Sequence, residues 1–157
     1  MATIVQNLQK VHQRIAQACA AAQRPVQSVT LLVVGKTFAA DTVRAAFDAG
    51  ERCFGENYVQ EGIDKIASLS DLRAQIEWHL IGPPQSNKTR VVAESFDWVH
   101  SVDRLKIAQR LSEQRPAHLP PLQLCLQVNI SGESSKSGLR IDELPEVARA
   151  VAALPRV

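Results

Sequence analysis

Lys36 is the residue whose position in this sequence most clearly allows chemistry. It follows an apolar run rich in β-branched residues, Thr30-Leu31-Leu32-Val33-Val34-Gly35, which predicts a buried strand over about 29–35. An amine at the end of a buried strand lies near low-dielectric surroundings, which disfavour its charged form. A neutral lysine amine is a nucleophile that forms Schiff bases with carbonyl compounds. The alternative is that Lys36 only ends the strand and points to water.

Other polar residues and glycines follow the predicted strands in the same way. Ligands of parallel α/β barrels bind where strands end and loops begin, so these residues would suit a polar cofactor that bears a carbonyl group. Asn57 has an alternative role as a helix cap, and His79 as a core histidine with satisfied ring nitrogens. The residues at predicted strand ends are Gly35, Lys36, Thr37, Gly55, Glu56, Asn57, His79, Gly82, His100, Ser101 and Asn129.

Two further segments carry reactive residue types. Ser86 is expected to cap a helix rather than to act as a nucleophile, because no Ser-His-Asp or GxSxG context surrounds it. Glu133 and Lys136 lie in a serine- and glycine-rich loop over 131–138. Such a loop is solvated by default, and the alternative is that its lysine meets a phosphate group.

The composition is that of one globular domain and excludes several classes of protein. The chain has 157 residues, 45% of them hydrophobic and 22% charged, with a net charge of +2, so no nucleic-acid or anionic-membrane footprint is expected. The three cysteines are odd in number and form no CxxC, which argues against disulfides or a zinc site and fits a reducing cytosol. We expect no metal, no signal peptide and no membrane span.

Hydrophobic periodicity predicts a first helix followed by five strand–helix units. Strict alternation implies a parallel sheet, as a doubly wound sheet or a (β/α)₈ barrel. There is no GxGxxG or Walker A motif. Expected helices cover about 4–22, 40–49, 58–69, a segment capped by Ser86, a segment capped by Asp103, and 143–153; expected strands cover about 29–35, 52–54, 76–81, 98–99 and 122–130.

The last predicted strand favours the barrel. Leu122, Leu124, Leu126, Val128 and Ile130 alternate with polar residues, whereas a central strand of an open parallel sheet is apolar on both faces. The leucine face would meet the helices, and the polar face would line the lumen. The same alternation puts Thr30, Leu32, Val34 and Lys36 on the lumen side. A full barrel needs about 250 residues, so we expect a single domain over 1–157 that is truncated after about five βα units and has open edges.

Four groups of residues resemble the pyridoxal phosphate homeostasis protein family, the single-barrel relatives of the alanine racemase N-terminal domain. They occur in the family's order and spacing, and the resemblance extends from the first helix to the last residue. The FGENYVQE run is highly specific. The groups are Val33-Val34-Gly35-Lys36-Thr37; Phe54-Gly55-Glu56-Asn57-Tyr58-Val59-Gln60-Glu61; Trp78-His79-Leu80-Ile81-Gly82 with Gln85-Ser86-Asn87-Lys88; and Gln127-Val128-Asn129 with Ser135-Lys136-Ser137-Gly138.

The resemblance implies a (β/α)₈ barrel of the TIM type, pyridoxal 5'-phosphate (PLP) fold type III. It implies that PLP is held as a Schiff base (internal aldimine) on Lys36, with Asn57 and His79 in its pocket and Lys136 as a secondary contact. It further implies a cytoplasmic, often monomeric protein that binds PLP, keeps the free aldehyde low and passes the cofactor to dependent apoenzymes, with no turnover of its own. No catalytic residue is therefore expected.

The chain departs from the family pattern in three places and in length. Gly35 replaces the usual serine, Phe38 replaces a lysine and so removes a positive charge, and Pro83-Pro84 stiffens a loop. The family's C-terminal third, which holds the cofactor's phosphate and faces its pyridine nitrogen, is absent, so we expect weak PLP binding by the chain alone.

Two other functions stay open at this point. One is a PLP-dependent amino-acid racemase, which needs proton donors and acceptors on both faces of the cofactor. Lys36 could supply one of these groups. In alanine racemase a tyrosine from a second domain supplies the other, whereas the single tyrosine of this sequence, Tyr58, lies next to Asn57. The other is a barrel fragment that binds no ligand, in which Lys36 only ends a strand.

Overall fold

The computed structural model describes residues 3–157, which form a parallel sheet covered by helices. Short 3₁₀ turns lie at Val26–Ser28, Ser70–Leu72 and Ser86–Lys88. The helices and strands are α1 (Ile4–Ala21), β1 (Val33–Val34), α2 (Ala40–Asp48), β2 (Cys53–Glu56), α3 (Val59–Ser68), β3 (Glu77–Leu80), α4 (Thr89–Ser95), β4 (Trp98–Val102), α5 (Leu105–Gln114), β5 (Gln123–Leu126) and α6 (Leu144–Ala152).

The strands lie in the order β1-β2-β3-β4-β5, and each pairs in parallel with the next strand along the chain. A doubly wound sheet reverses its strand order at a switch point, whereas a barrel adds its strands in sequence. The observed order therefore confirms the choice of a TIM-type α/β fold over a doubly wound sheet.

The hydrophobic core lies between the helices and one face of the sheet. Phe54, Trp78, Leu80 and Val99 point into it from β2, β3 and β4, Leu122 does so directly before β5, and all five are fully buried. Burying a large apolar side chain contributes about 1.5–3 kcal/mol. Leu124 and Leu126 also pack against this core, so the prediction that the leucine face of the fifth strand meets the helices is confirmed. The opposite face, which carries Cys53, Gly55, Glu77, His79 and Trp98, is called the inner face below.

Strand one differs most from its prediction. Its pairing is limited to Val33–Val34, and Val34 is 41% exposed, so the expected buried strand over 29–35 is wrong. β1 pairs only with β2 within residues 3–157, and an edge strand has no neighbour to cover its second side. The alternation was right, because Val33 packs against the core and Leu32 approaches Gly55 on the inner face.

The helix ends differ in how they are capped. Thr3 and Gln6 form a capping box at the start of α1. Gly50 follows α2 with a φ of 108°, a left-handed conformation that glycine adopts without strain. The expected Ser86 and Asp103 caps are wrong: α4 and α5 begin after Lys88 and Arg104, and neither start has a side-chain cap.

No helix within residues 3–157 combines the length and the apolar character that crossing a membrane requires.

Candidate functional site

Lys36 lies in a tight turn at the carboxyl end of β1. The Gly35 amide donates to the Gly55 carbonyl (2.9 Å), and the Phe38 amide donates to the Gly35 carbonyl (3.0 Å) and closes the turn. Thr37 has a φ of 67°, a conformation that is uncommon for a residue with a branched side chain. The Lys36 side chain is exposed, so the expected low-dielectric surroundings are wrong. Its Nζ makes no hydrogen bond or ion pair with any residue of 3–157, which leaves the amine accessible.

A buried lysine lies beneath this turn. The Lys65 ammonium on α3 donates to the Gly35 carbonyl (2.6 Å), to both carboxylate oxygens of Glu56 (2.8 and 3.0 Å) and to Glu61 Oε1 (2.8 Å). Glu61 Oε1 also accepts a bond from the Thr37 amide at 2.6 Å. We call Glu56, Glu61 and Lys65 the Lys65 cluster. It contacts the backbone on both sides of Lys36.

The two carboxyl groups of the Lys65 cluster respond to different surroundings. Burial raises the pKa of Glu56, and its bond to Lys65 offsets only part of that rise. Glu61 is partly exposed, and its hydrogen bond to Lys65 lowers its pKa. Glu61 therefore keeps its charge at neutral pH and accepts bonds from an ammonium and an amide at once.

Asn57 follows β2, next to the Lys36 turn. The residue at the N-cap position of α3 is Tyr58 rather than Asn57, and no side chain caps this helix. The alternative of a helix cap is therefore wrong, and the Asn57 amide group has no hydrogen-bond partner within residues 3–157. Gly82, after β3, packs so closely on Asn57 that a Cβ there would lie 2.0 Å from the Asn57 carbonyl oxygen. Only glycine fits at this contact, which joins the ends of β2 and β3.

His79 lies within β3 on the inner face and is buried. A hydrogen bond of 2.9 Å joins its Nδ1 to His100 Nε2, and one of 3.0 Å joins its Nε2 to Glu77 Oε1. Its ring stacks on Trp98 at 5.5 Å between centroids, with 10° between the planes. Burial lowers the pKa of both His79 and His100. These contacts are those of a satisfied core histidine, and a contact between His79 and PLP stays a prediction.

Lys136 lies in an exposed loop beyond β5 that Asn129 organises. The Asn129 side chain donates to the carbonyls of Glu133 (2.9 Å) and Lys136 (3.3 Å), and its oxygen accepts from the Gly132 amide (3.0 Å). The Lys136 ammonium has no partner within residues 3–157. β5 is separated from β1 by three strands, so Lys136 approaches the site from a different side than Lys36 and Asn57.

The inner face brings three potential metal ligands together near the start of β2 and β3. Cys53, Glu77 and His79 offer donor atoms within 4.8 Å of one another, although the sequence has no CxxC. Burial, together with the nearby Glu77, raises the pKa of Cys53 to about 11. The thiol is therefore protonated at neutral pH and is a poor ligand, and Glu77 already pairs with the other two residues.

A large cavity lies away from the predicted site residues. It measures about 1390 Å³ and is lined by Arg52, Gln75, Asp97, Pro121 and other residues at the amino ends of the strands. None of Lys36, Asn57, His79 and Lys136 lines it. Chemistry rather than volume therefore identifies the carboxyl end of the sheet as the candidate site.

Sequential parallel strands and an accessible lysine at the end of the first strand define this chain as a barrel-type α/β protein. A model of the family described as alanine racemase, N-terminal domain, matches residues 5–157. A pyridoxal phosphate homeostasis protein of Pseudomonas aeruginosa is 60% identical over 157 residues, which cover 100% of this chain and 67% of the relative. One of Escherichia coli K12 is 54% identical over 158 residues, covering 100% of this chain and 68% of the relative.

A solved structure is also similar to this chain. PipY of Synechococcus elongatus, with PLP bound, is 39% identical with a TM-score of 0.76, and the match covers 94% of this chain and 66% of PipY. The chain belongs to the pyridoxal phosphate homeostasis protein family. It spans about two thirds of the length of these relatives.

Sequence reasoning placed Lys36 and Asn57 at strand ends but missed the Lys65 cluster. Glu61 and Lys65 pair at i,i+4 spacing on α3, yet the chief partner of Lys65 is the buried Glu56. A signal was available, because Glu56 shares with Phe54 the strand face that points into the apolar core. A carboxylate on such a face requires a buried cationic partner.

Proposed function

We propose that the protein binds PLP covalently through the Nζ of Lys36 and serves to hold and deliver this cofactor, with no catalytic turnover of its own. The observation that carries the proposal is the accessible Lys36 amine on a tightly held turn at the carboxyl end of β1. The relatives named for PLP homeostasis and the PLP-bound PipY structure support it.

The residues present fit such a cofactor. Bound PLP supplies an aldehyde, which condenses with an amine and releases water. Lys36 offers an amine with no competing partner within residues 3–157, and Asn57 offers an amide group that is equally unengaged. The Lys136 ammonium would attract the dianionic phosphate. Both ring nitrogens of His79 are already hydrogen-bonded, so this residue would contribute to the PLP pocket through the shape and polarity of its ring.

The relatives also suggest where the protein works and what it serves. We propose that it operates in the cytoplasm and passes PLP to dependent apoenzymes, and that it works as a monomer. We further propose that residues 1–157 form a single PLP-binding barrel domain, and that the phosphate-binding segments lie in the third of the relatives' length that this chain does not match. Each missing charge-assisted hydrogen bond would weaken binding by about 1.5–3 kcal/mol, so this chain alone would bind PLP more weakly than the full-length relatives.

A racemase is not favoured. Tyr58, the single tyrosine, is 63% exposed next to Asn57 and is not enclosed as a proton donor would be. Incubation with L-alanine and PLP, followed by a chiral assay, would show D-alanine only if the chain were an enzyme of that kind.

Borohydride trapping tests the proposal. The chain is mixed with PLP and reduced, which fixes the new carbon–nitrogen bond, and the labelled peptides are mapped by mass. We expect about one label per chain, on Lys36, lost in Lys36→Ala and kept in Lys106→Ala, which removes an exposed lysine of α5. Labels spread over several lysines, or unchanged in Lys36→Ala, would contradict a site at Lys36.

A further inference from the structure

The Lys65 cluster is an unusual arrangement of buried charge. Glu56 is completely buried and Lys65 is 6% exposed, so both have left water. Burying an ion pair costs desolvation free energy, and well-packed apolar residues of similar volume are often as stabilising or more so. Stability alone therefore gives a weak reason for these two charges at the end of β2.

The contacts of the cluster point to the Lys36 turn instead. Lys65 Nζ binds the carbonyl of Gly35, and Glu61 Oε1 binds the amide of Thr37. These are the residues directly before and after Lys36. The two bonds thus hold the peptide groups on both sides of Lys36 and leave its amine free.

The turn requires such support. Thr37 has a φ of 67°, which persists only where surrounding contacts enforce it, and β1 contributes just two paired residues at the sheet edge. A Cβ at Gly35 would lie 2.7 Å from Glu56 Oε1, so the carboxylate is packed directly against the backbone of the turn. The cluster and the turn form one unit.

We propose that Glu56, Glu61 and Lys65 are positioning residues, which hold the Lys36 turn in one conformation and so aim the Lys36 amine at the aldehyde of PLP. This inference rests on the proposed function. None of the three residues bonds to Nζ of Lys36. They act through the backbone, by restricting the directions from which the amine can approach a carbonyl.

Variants of Glu61 test the proposal with the least disturbance, because this side chain is partly exposed. Glu61→Ala removes the acceptor of the Thr37 amide, whereas Glu61→Gln retains an oxygen there. Glu113→Ala, an exposed glutamate of α5, is the matched control. The double variant Glu56→Gln/Lys65→Met removes the buried pair without leaving an isolated charge, and thermal midpoints report how well each variant folds.

Two readouts are compared. The first is the order of the Lys36 and Thr37 amides, measured by hydrogen exchange and heteronuclear NOE without PLP. The second is the rate of PLP labelling at Lys36 relative to Lys106 in the same sample. We expect Glu61→Ala and the double variant to exchange the Thr37 amide at least about tenfold faster and to lose about tenfold in relative labelling, with Glu61→Gln and Glu113→Ala within about twofold of the original chain.

The outcomes separate this inference from the proposed function. If the original chain labels Lys36 preferentially and Glu61→Ala does so equally fast, the positioning role is overturned while the PLP site stands. If PLP labels Lys36 of the original chain no faster than Lys106, the proposed function fails. Hydrogen exchange and NOE of the Lys36 and Thr37 amides then decide whether the cluster holds the turn. Unchanged order in both Glu61→Ala and the double variant would overturn the inference in either case.

Discussion

Among single residues, His79 shows how the inner face determines protonation. Its ring is buried, stacked on Trp98 and bonded to His100 and Glu77. Burial lowers the pKa of His79, and the bond to Glu77 raises it by less. The pKa of His100 is lowered by burial alone. Both rings are therefore neutral in the folded chain at a pH where the unfolded chain is already partly protonated.

This difference predicts an acid-sensitive stability. Below the ordinary histidine pKa of 6.5, the unfolded chain binds more protons at these two positions than the folded chain does, so the free energy of unfolding falls as the pH falls. The contribution is complete above about pH 6.5 and is lost toward the lower folded pKa values. Urea unfolding between pH 5 and 8 measures this slope, and His79→Gln/His100→Gln would flatten it. An equal slope in the double variant would contradict the assignment.

The positions of some site residues, but not their surroundings, could be predicted from the sequence. Lys36 and Asn57 could be assigned to neighbouring strand ends because parallel strands finish at the same edge of a sheet. The exposure of Lys36 could not be predicted, because the apolar run before it is equally compatible with an edge strand. The bond between Glu56 and Lys65 depends on how closely α3 approaches β2, and no sequence period encodes that distance.

At the scale of elements, Gly62 determines how closely α3 approaches the sheet. A Cβ at this position would lie 2.6 Å from Phe96 Cζ and 3.3 Å from Glu56 Cβ. The small residue thus lets α3 lie near enough for Lys65 to reach Glu56. The predicted helix over 58–69 was right in type and close in extent, but its register against β2 is a tertiary feature.

Gly62→Ala is expected to destabilise the fold. Alanine favours a helix over glycine by about 1 kcal/mol, but overpacking against a fully buried ring costs about 1–3 kcal/mol. The clash should prevail because Phe96 is completely buried among other apolar side chains. We expect a net loss of roughly 1 kcal/mol in the free energy of unfolding, measured by urea denaturation. Ala67→Gly, at an exposed position of the same helix, measures the propensity term alone, and a stabilised Gly62→Ala variant would show that α3 shifts freely.

Arg115 joins the end of α4 to the segment before β5. It is buried, and its guanidinium donates to the carbonyls of Ala93, Phe96 and Pro120, each at 2.7 Å. All three acceptors are neutral, and burial lowers the pKa of this arginine. The planar fork of an arginine reaches several acceptors at once, which a lysine ammonium cannot do in the same geometry.

We therefore expect Arg115→Lys to lose about 2–3 kcal/mol of unfolding free energy, since at least one buried carbonyl is left without a donor. The denaturant midpoint measures the loss. Arg90→Lys, at an exposed position of α4, should change the midpoint little. Equal midpoints for the two variants would mean that water replaces the missing bonds.

At the scale of the whole molecule, the sheet is open. Within residues 3–157, β1 pairs only with β2 and β5 only with β4. Alternation along the last strand was enough to predict barrel-type order, because one polar face implies a lumen. The exposure of β1 was not predictable from its composition, since the burial of a strand depends on which segments pair with both of its sides.

Open edges predict self-association of this chain. Unpaired backbone groups along an exposed edge strand bind other strands, and Val34 adds apolar surface there. We expect the mass measured by size exclusion with light scattering to rise with concentration. Val34→Lys places a charge on the edge and should shift the chain toward the monomer, whereas Lys106→Ala should not. A monomer at every concentration would contradict the prediction.

The sequential strand order also has a consequence for biosynthesis. Every strand of the sheet pairs with the strand made just before it, so each new unit can dock onto an edge that is already complete as the chain leaves the ribosome. The segment between two paired strands is short, so bringing these strands together costs little entropy. No strand pairs with a distant part of the chain or has to be inserted between two others. Folding can thus keep pace with translation, and the growing edge is the surface that a nascent chain must keep from binding its neighbours.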